Sequence, residues 1–105
     1  MSSIRYTVGA TFPDEATADR WRAWLRDGHI ADVFAGGATR AEVVRIDGSE
    51  IEYEVQYIFP DRATFDRYVS EFAPRLRAEG LRLFPTEQGI RYRRGTGQVT
   101  EQFPG

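Results

Sequence analysis

The chain offers a single histidine, His29. Imidazole is the side chain whose ordinary pKa lies nearest neutrality, which makes His29 the natural acid, base or axial haem ligand. It has no partners for metal chemistry: there is no second histidine and no cysteine. A facial triad, a His-rich metal site and a thiolate nucleophile therefore lack their residues, and no metal or cofactor is expected. The plainer account of His29 is a cap on a helix that breaks at Gly28. A Ser-His-Asp triad is unsupported as well. Ser2, Ser3, Ser49 and Ser70 fall in the terminus, a turn and a helix surface, with no nucleophile elbow.

Four further residues can hold a ligand. Gln56 is a neutral amide among the glutamates of a strand, suited to orienting a polar group or to a structural hydrogen bond. Trp21 and Trp24 share the apolar side of a helix, where they serve the core first and a ligand's apolar body second. Arg77, like Arg75, follows Pro74 on a helix; its default place is a solvated face, its alternative a ligand contact. Glu52 and Glu54 share the Gln56 face, but nearby arginines favour ion pairing over general acid chemistry.

The elements that must position these residues are legible from a repeat. A shift of 47 positions lays Tyr6–Leu25 on Tyr53–Phe72 with nine of twenty residues identical, among them Phe12-Pro13-Asp14 and Phe59-Pro60-Asp61. Each copy reads as strand, corner, helix. In the first, Ile4, Tyr6, Val8, Ala10 and Phe12 alternate with polar or small residues, the period of a strand with one apolar face. Asp14 caps the next helix by accepting a backbone N–H near Thr17. The helix stripe Trp21, Trp24, Leu25 switches sides at Ile30, Val33 and Phe34, which predicts a break at Gly28. Gly36-Gly37 ends the element.

A second strand is expected at about 40–46 and a third at about 50–59, joined by a tight type I′ turn at Asp47-Gly48. Whichever short loop is used, an antiparallel hairpin here is expected to put Val44 and Ile46 on the apolar side, and Ala41, Val43 and Arg45 on the side of Glu50, Glu52, Glu54 and Gln56. In the second helix, Phe65, Tyr68, Val69, Phe72 and Leu76 form the stripe, Pro74 kinks it and Gly80 stops it. Leu81–Phe84 connects to a last strand over 89–94. A single domain over 1–95 and a loose tail over 96–105 are expected.

The order β-α-β-β-α-β specifies a ferredoxin-like α+β sandwich: a four-stranded antiparallel-type sheet with both helices on one face, strands 1 and 3 parallel in its centre. The other face carries Arg5, Thr7, Thr11, Val43, Arg45, the glutamates, Gln56, Arg91 and Arg93. It is either a solvated charge ladder or a face covered by a second subunit, which would leave a polar-walled cavity between two sheets. RNA-binding RRM domains share the strand order, but expose aromatic and basic residues on strands 1 and 3. Here Tyr6, Tyr53 and Tyr57 belong to the apolar face and the exposed side of strand 3 is acidic, so nucleic acid is excluded as a partner. The net charge of −2 agrees. No apolar run approaches a membrane span, and a cytoplasmic protein is expected.

The segments Trp21-Arg-Ala-Trp24-Leu25, His29-Ile-Ala-Asp-Val-Phe-Ala-Gly36, Tyr53-Glu-Val-Gln56-Tyr57 and Ala73-Pro74-Arg-Leu-Arg77-Ala-Glu-Gly80-Leu81 together resemble a small bacterial family of uncharacterised proteins. That family is a domain of unknown function with the dimeric α+β barrel form of the ferredoxin-like fold. Ala31 stands where the family tends to have Pro. The resemblance implies a homodimer with sheets face to face and supplies no activity. The wider barrel group includes cofactor-independent monooxygenases, haem-degrading enzymes and ligand-sensing domains. The expected function is a homodimeric small-molecule-binding or interaction module; the alternative is a monooxygenase- or isomerase-like enzyme using His29.

Overall fold

The computed structural model describes residues 2–104. Strand β1 (Ile4–Phe12) leads into helix α1 (Glu15–Trp24), a π-helical turn (Leu25–His29) and helix α2 (Ile30–Ala35). A hairpin of β2 (Arg40–Arg45) and β3 (Ile51–Phe59) follows, then α3 (Arg62–Glu71), α4 (Ala73–Leu83), a short 3-10 turn (Thr86–Gln88) and β4 (Arg91–Gln98). The sheet order is β2-β3-β1-β4, the ferredoxin-like sandwich. Among the described residues, no helix is long and apolar enough to cross a membrane.

The two copies of the repeat fold alike at their corners. Asp14 accepts from the Thr17 N–H at 2.7 Å, and Asp61 from the Thr64 N–H at 2.8 Å. Both cap residues are extended, as a helix N-cap requires. The expected breaks are also present. Gly28 departs from helical backbone inside the π turn, and the second helical segment divides at Phe72-Ala73, with Pro74 in the first turn of α4. Gly37, at φ 117°, closes the first helical stretch in a conformation that glycine adopts at least cost.

The central strands β1 and β3 pair antiparallel, with Ile4 opposite Phe59 and Val8 opposite Val55. The parallel pairing expected of them is therefore corrected. The β2–β3 hairpin reverses the chain once more between the two copies, so β1 runs with β2, and β3 inserts between them against both. The side chains of the repeated strands still share one face: Ile4, Tyr6, Phe12, Tyr53, Val55, Tyr57 and Phe59 are all buried.

The faces of β2 are the reverse of those expected. Val43 lies opposite Val55 and Arg45 opposite Tyr53, on the helical side, while Val44 lies opposite Glu54 on the outer side. The Ile46 N–H closes the hairpin onto the Glu52 carbonyl (2.9 Å), leaving residues 47–51 as an odd-numbered connection. A two-residue turn at Asp47-Gly48 would have paired positions of the other parity, and a one-residue slip exchanges every face. Among the described residues no non-glycine residue has positive φ, so Asp47 is not in a type I′ turn.

Two other boundaries move. Helix α4 continues through Gly80 to Leu83, so Leu81–Phe84 is not a connection. Strand β4 reaches Gln98, where 94 was expected; Gly95, Thr96 and Gly97 pair with Thr7, Tyr6 and Arg5. Backbone hydrogen bonding to β1 carries a segment whose glycine-rich side chains look loop-like.

On the outer face, Arg93 bonds Glu52 (2.7 Å) and Glu54. These residues sit on β4 and β3, which are separated by β1. The guanidinium crosses β1 above Gly9, where a Cβ would stand 2.7 Å from Arg93 Cζ. Glycine at 9 is what permits the crossing.

The two caps carry a pH signature. Hydrogen bonds from the Thr17 and Thr64 backbone and hydroxyl groups hold the carboxyls of Asp14 and Asp61 below the ordinary 3.8. A depressed folded-state pKa contributes stability above the unfolded value that is lost as pH falls through the folded one. Asparagine caps as well as aspartate but does not titrate. Melting curves at pH 7 and pH 3 should show a smaller acid-induced drop for the double variant Asp14→Asn, Asp61→Asn than for the parent protein.

Candidate functional site

Helices α1 and α4 cross the buried sheet face and leave a cavity of about 50 Å³ between the layers. Its floor is Tyr6 and Val8 of β1, Val55 and Tyr57 of β3, and Tyr92 and Arg94 of β4. Its roof is formed by Trp21, Trp24, Leu25 and His29 on one side and by Tyr68, Leu76, Arg77 and Gly80 on the other.

The π turn sets the place of His29. Its ring stacks on Trp24 at 4.0 Å between centroids and 22° between planes. Trp24 is fixed in turn by Phe84 (5.6 Å) and by Gly80. A Cβ at position 80 would come within 3.2 Å of Trp24 Cη2. The glycine that looked like a helix stop is thus a notch in α4 for the indole. His29 Nδ1 is buried without a protein hydrogen-bond partner. Burial lowers the imidazole pKa below 6.5, against the pull of the Asp32 and Glu79 charges, so His29 is neutral at pH 7. His29 does not cap its helix: it makes no side-chain hydrogen bond there.

The floor is rich in phenols. Arg77 Nη2 donates to the Tyr6 hydroxyl (3.3 Å). Burial pushes Tyr68 up to about 12 despite the opposing charges of Arg77 and Arg94, and burial raises Tyr57 as well. The Tyr92 hydroxyl donates to the Phe84 carbonyl at 2.7 Å. The raised values keep Tyr57, Tyr68 and Tyr92 protonated at neutral pH.

Of the residues singled out in the sequence, His29, Trp21, Trp24 and Arg77 line this one cavity. Gln56 lies on the opposite face of the sheet, where its amide donates to Glu54 (3.0 Å). That bond, followed by the one from Arg93, holds the Glu54 carboxyl below its usual range. Arg45, expected outside, instead bonds Glu15 (3.2 Å) and the Tyr53 hydroxyl (2.9 Å) on the helical side. Sequence reasoning missed Tyr6, Tyr57, Tyr68 and Arg94 as site residues. The available signal was the hydroxyl on three aromatic positions of the core stripe, and the alternation from Tyr92 that returns Arg94 to the helical side.

Residues 4–92 match the family described as Domain of unknown function (DUF4286). The chain belongs to this family. No curated protein matches it in sequence. Among solved structures, it is similar to a dimeric ferredoxin-like protein from an uncultured marine organism: TM-score 0.80, 11% identity, covering 97% of this chain and 99% of that one. It is also similar to SnoaB, a cofactor-independent oxygenase from Streptomyces nogalater: TM-score 0.69, 18% identity, 100% of both chains. A third similar structure is a dabb family protein with a ferredoxin-like fold from Mesorhizobium loti: TM-score 0.66, 16% identity, 97% and 100% covered. At these identities the likeness is one of fold, and the family model describes a domain of unknown function.

With one histidine in the chain, the imidazole resonances are unambiguous. Titration of the His29 ring protons by NMR should give a midpoint below 6.5. The sign for stability follows: the unfolded chain takes up the proton first, so folding free energy declines as pH falls below 6.5. His29→Phe should flatten that part of the pH–stability curve.

Proposed function

We propose that this member of the DUF4286 family is a homodimeric binding module whose small-molecule ligand occupies the cavity beneath Trp24 and His29. The observation that carries the reading is the lining. An apolar shell of Val8, Leu25, Val55 and Leu76 surrounds a few converging polar groups, and one of them, His29 Nδ1, has no protein partner. Ligand sites have this composition, whereas a pure packing defect would be apolar throughout. Gln56 belongs to the second part of the proposal. With Glu54 and Ile58 it is half-buried on the outer sheet face, which among the described residues no helix covers. A second copy packed there would put the two Gln56 faces together, as the description of a similar structure as dimeric supports.

Both tryptophans of the chain line the cavity, so intrinsic fluorescence reports its occupancy. A fragment that enters should change the emission of the parent protein. Val55→Phe fills the space at a packing cost of about 1–3 kcal/mol and should abolish the response. Sedimentation velocity at tens of micromolar should give twice the 12.0 kDa chain mass; a monomer there removes the shared face.

A second reading is favoured by one observation, the neutral imidazole at the cavity wall. A neutral His29 can take a proton from a carbon acid bound beside it, the step an oxygenase without a cofactor needs before its substrate meets dioxygen. An oxygen electrode with easily deprotonated aromatic ketones tests this. Uptake that falls about 10²–10⁴-fold in His29→Ala is the catalytic result; uptake that is absent, or unchanged in that variant, leaves binding alone.

A further inference from the structure

Three strand arginines are held by acids: Arg93 meets Glu52 and Glu54, Arg91 meets Glu50, and Arg45 meets Glu15. Arg77 and Arg94 both line the cavity, and among the described residues neither forms an ion pair. They reach it from opposite layers, Arg77 from α4 and Arg94 from β4. In a chain of net charge −2, two guanidinium groups reach this cavity with no acid among its lining residues. The hydroxyl that accepts from Arg77, that of Tyr6, keeps its own proton to donate.

The size of the space narrows the class of ligand. An apolar cavity of about 150 Å³ admits benzene, while about 10–15 Å³ admits one water. The volume here, about 50 Å³, suits a short aliphatic body, with the head group at the open rim where both arginines are exposed. The apolar walls next to the cations are Val8, Val55 and Leu76, which fit such a body and disfavour a fully hydrated inorganic anion.

We propose that the cavity binds a short-chain aliphatic monocarboxylate, its carboxylate held by Arg77 and Arg94 with the Tyr6 hydroxyl, and its chain against Val8, Val55 and Leu76. The inference rests on the cavity being the binding site and adds the chemical class of its occupant. Guanidinium groups suit carboxylates because their N–H pairs match the two oxygens.

Butyrate, butyramide and inorganic phosphate are the probes, titrated into the full chain and followed by tryptophan fluorescence and by amide shifts of cavity residues. Butyrate should bind about tenfold or more tightly than the isosteric butyramide and than phosphate. The double variant Arg77→Gln, Arg94→Gln should lose that preference while still binding butyramide. Arg94→Lys, which keeps the charge without the fork, should retain part of it. Both arginines are exposed enough that the variants should fold, and near-parental circular dichroism checks this. Equal affinity for butyrate and butyramide, a preference surviving in the double variant, or phosphate binding as tightly as butyrate would each overturn the carboxylate assignment. The first of these results leaves the cavity a binding site. If none of the probes moves a cavity resonance, both the assignment and the cavity reading fall.

Discussion

Burial of one face of the β1–β3 pair is the constraint on which everything else depends. Tyr6, Phe12, Tyr53, Tyr57 and Phe59 present large rings on that face, and only the helices can cover them. Rings at this density meet edge and face: Phe12 against Trp21 at 5.2 Å, Phe59 against Phe65 at 5.1 Å, Tyr6 against Phe65 at 5.5 Å. Each complete side-chain burial of this kind contributes about 1.5–3 kcal/mol. The capped corners at Asp14 and Asp61 then aim each helix back across its strand, so that the stripes of α1 and α3 land on this face.

The same packing explains why there is a cavity at all. Bulky rings on both layers cannot interdigitate everywhere, and the two interrupted helical segments diverge where their breaks fall. His29, at the end of the π turn, stacks on Trp24, and Gly80 of α4 receives the indole. The space between is walled by side chains already committed to the core.

The unpaired charges and the paired ones follow from the sheet's geometry. The outer face is free of bulk at Gly9, and Arg93 uses that gap to reach two glutamates across the intervening strand. Arg94, one residue on, points to the other side, where no acid is placed among the cavity walls. Alternation along one strand thus separates a neutral ladder from a cationic cavity rim.

Local pattern alone determined the alternating strands, the two Phe-Pro-Asp corners, the breaks at Gly28 and Pro74 and the set His29, Trp21, Trp24, because each depends on residues a turn or a pleat apart. From these the ferredoxin-like order was legible, as was the burial of Tyr6, Tyr53 and Tyr57. What depends on pairing across the chain was not. The hairpin's odd-numbered connection decided that Val43 and Arg45 face the helices, since a single-residue slip is silent in the pattern of a short, mixed strand like Arg40–Arg45. Hydrogen bonding to β1 decided the length of β4, and contact with Trp24 decided that Gly80 stays helical. Only the closed sandwich could separate Gln56 from His29, and bring Arg77 and Arg94, seventeen positions apart in the chain, to one cavity: that juxtaposition is a property of two layers meeting, which no stretch of either layer contains.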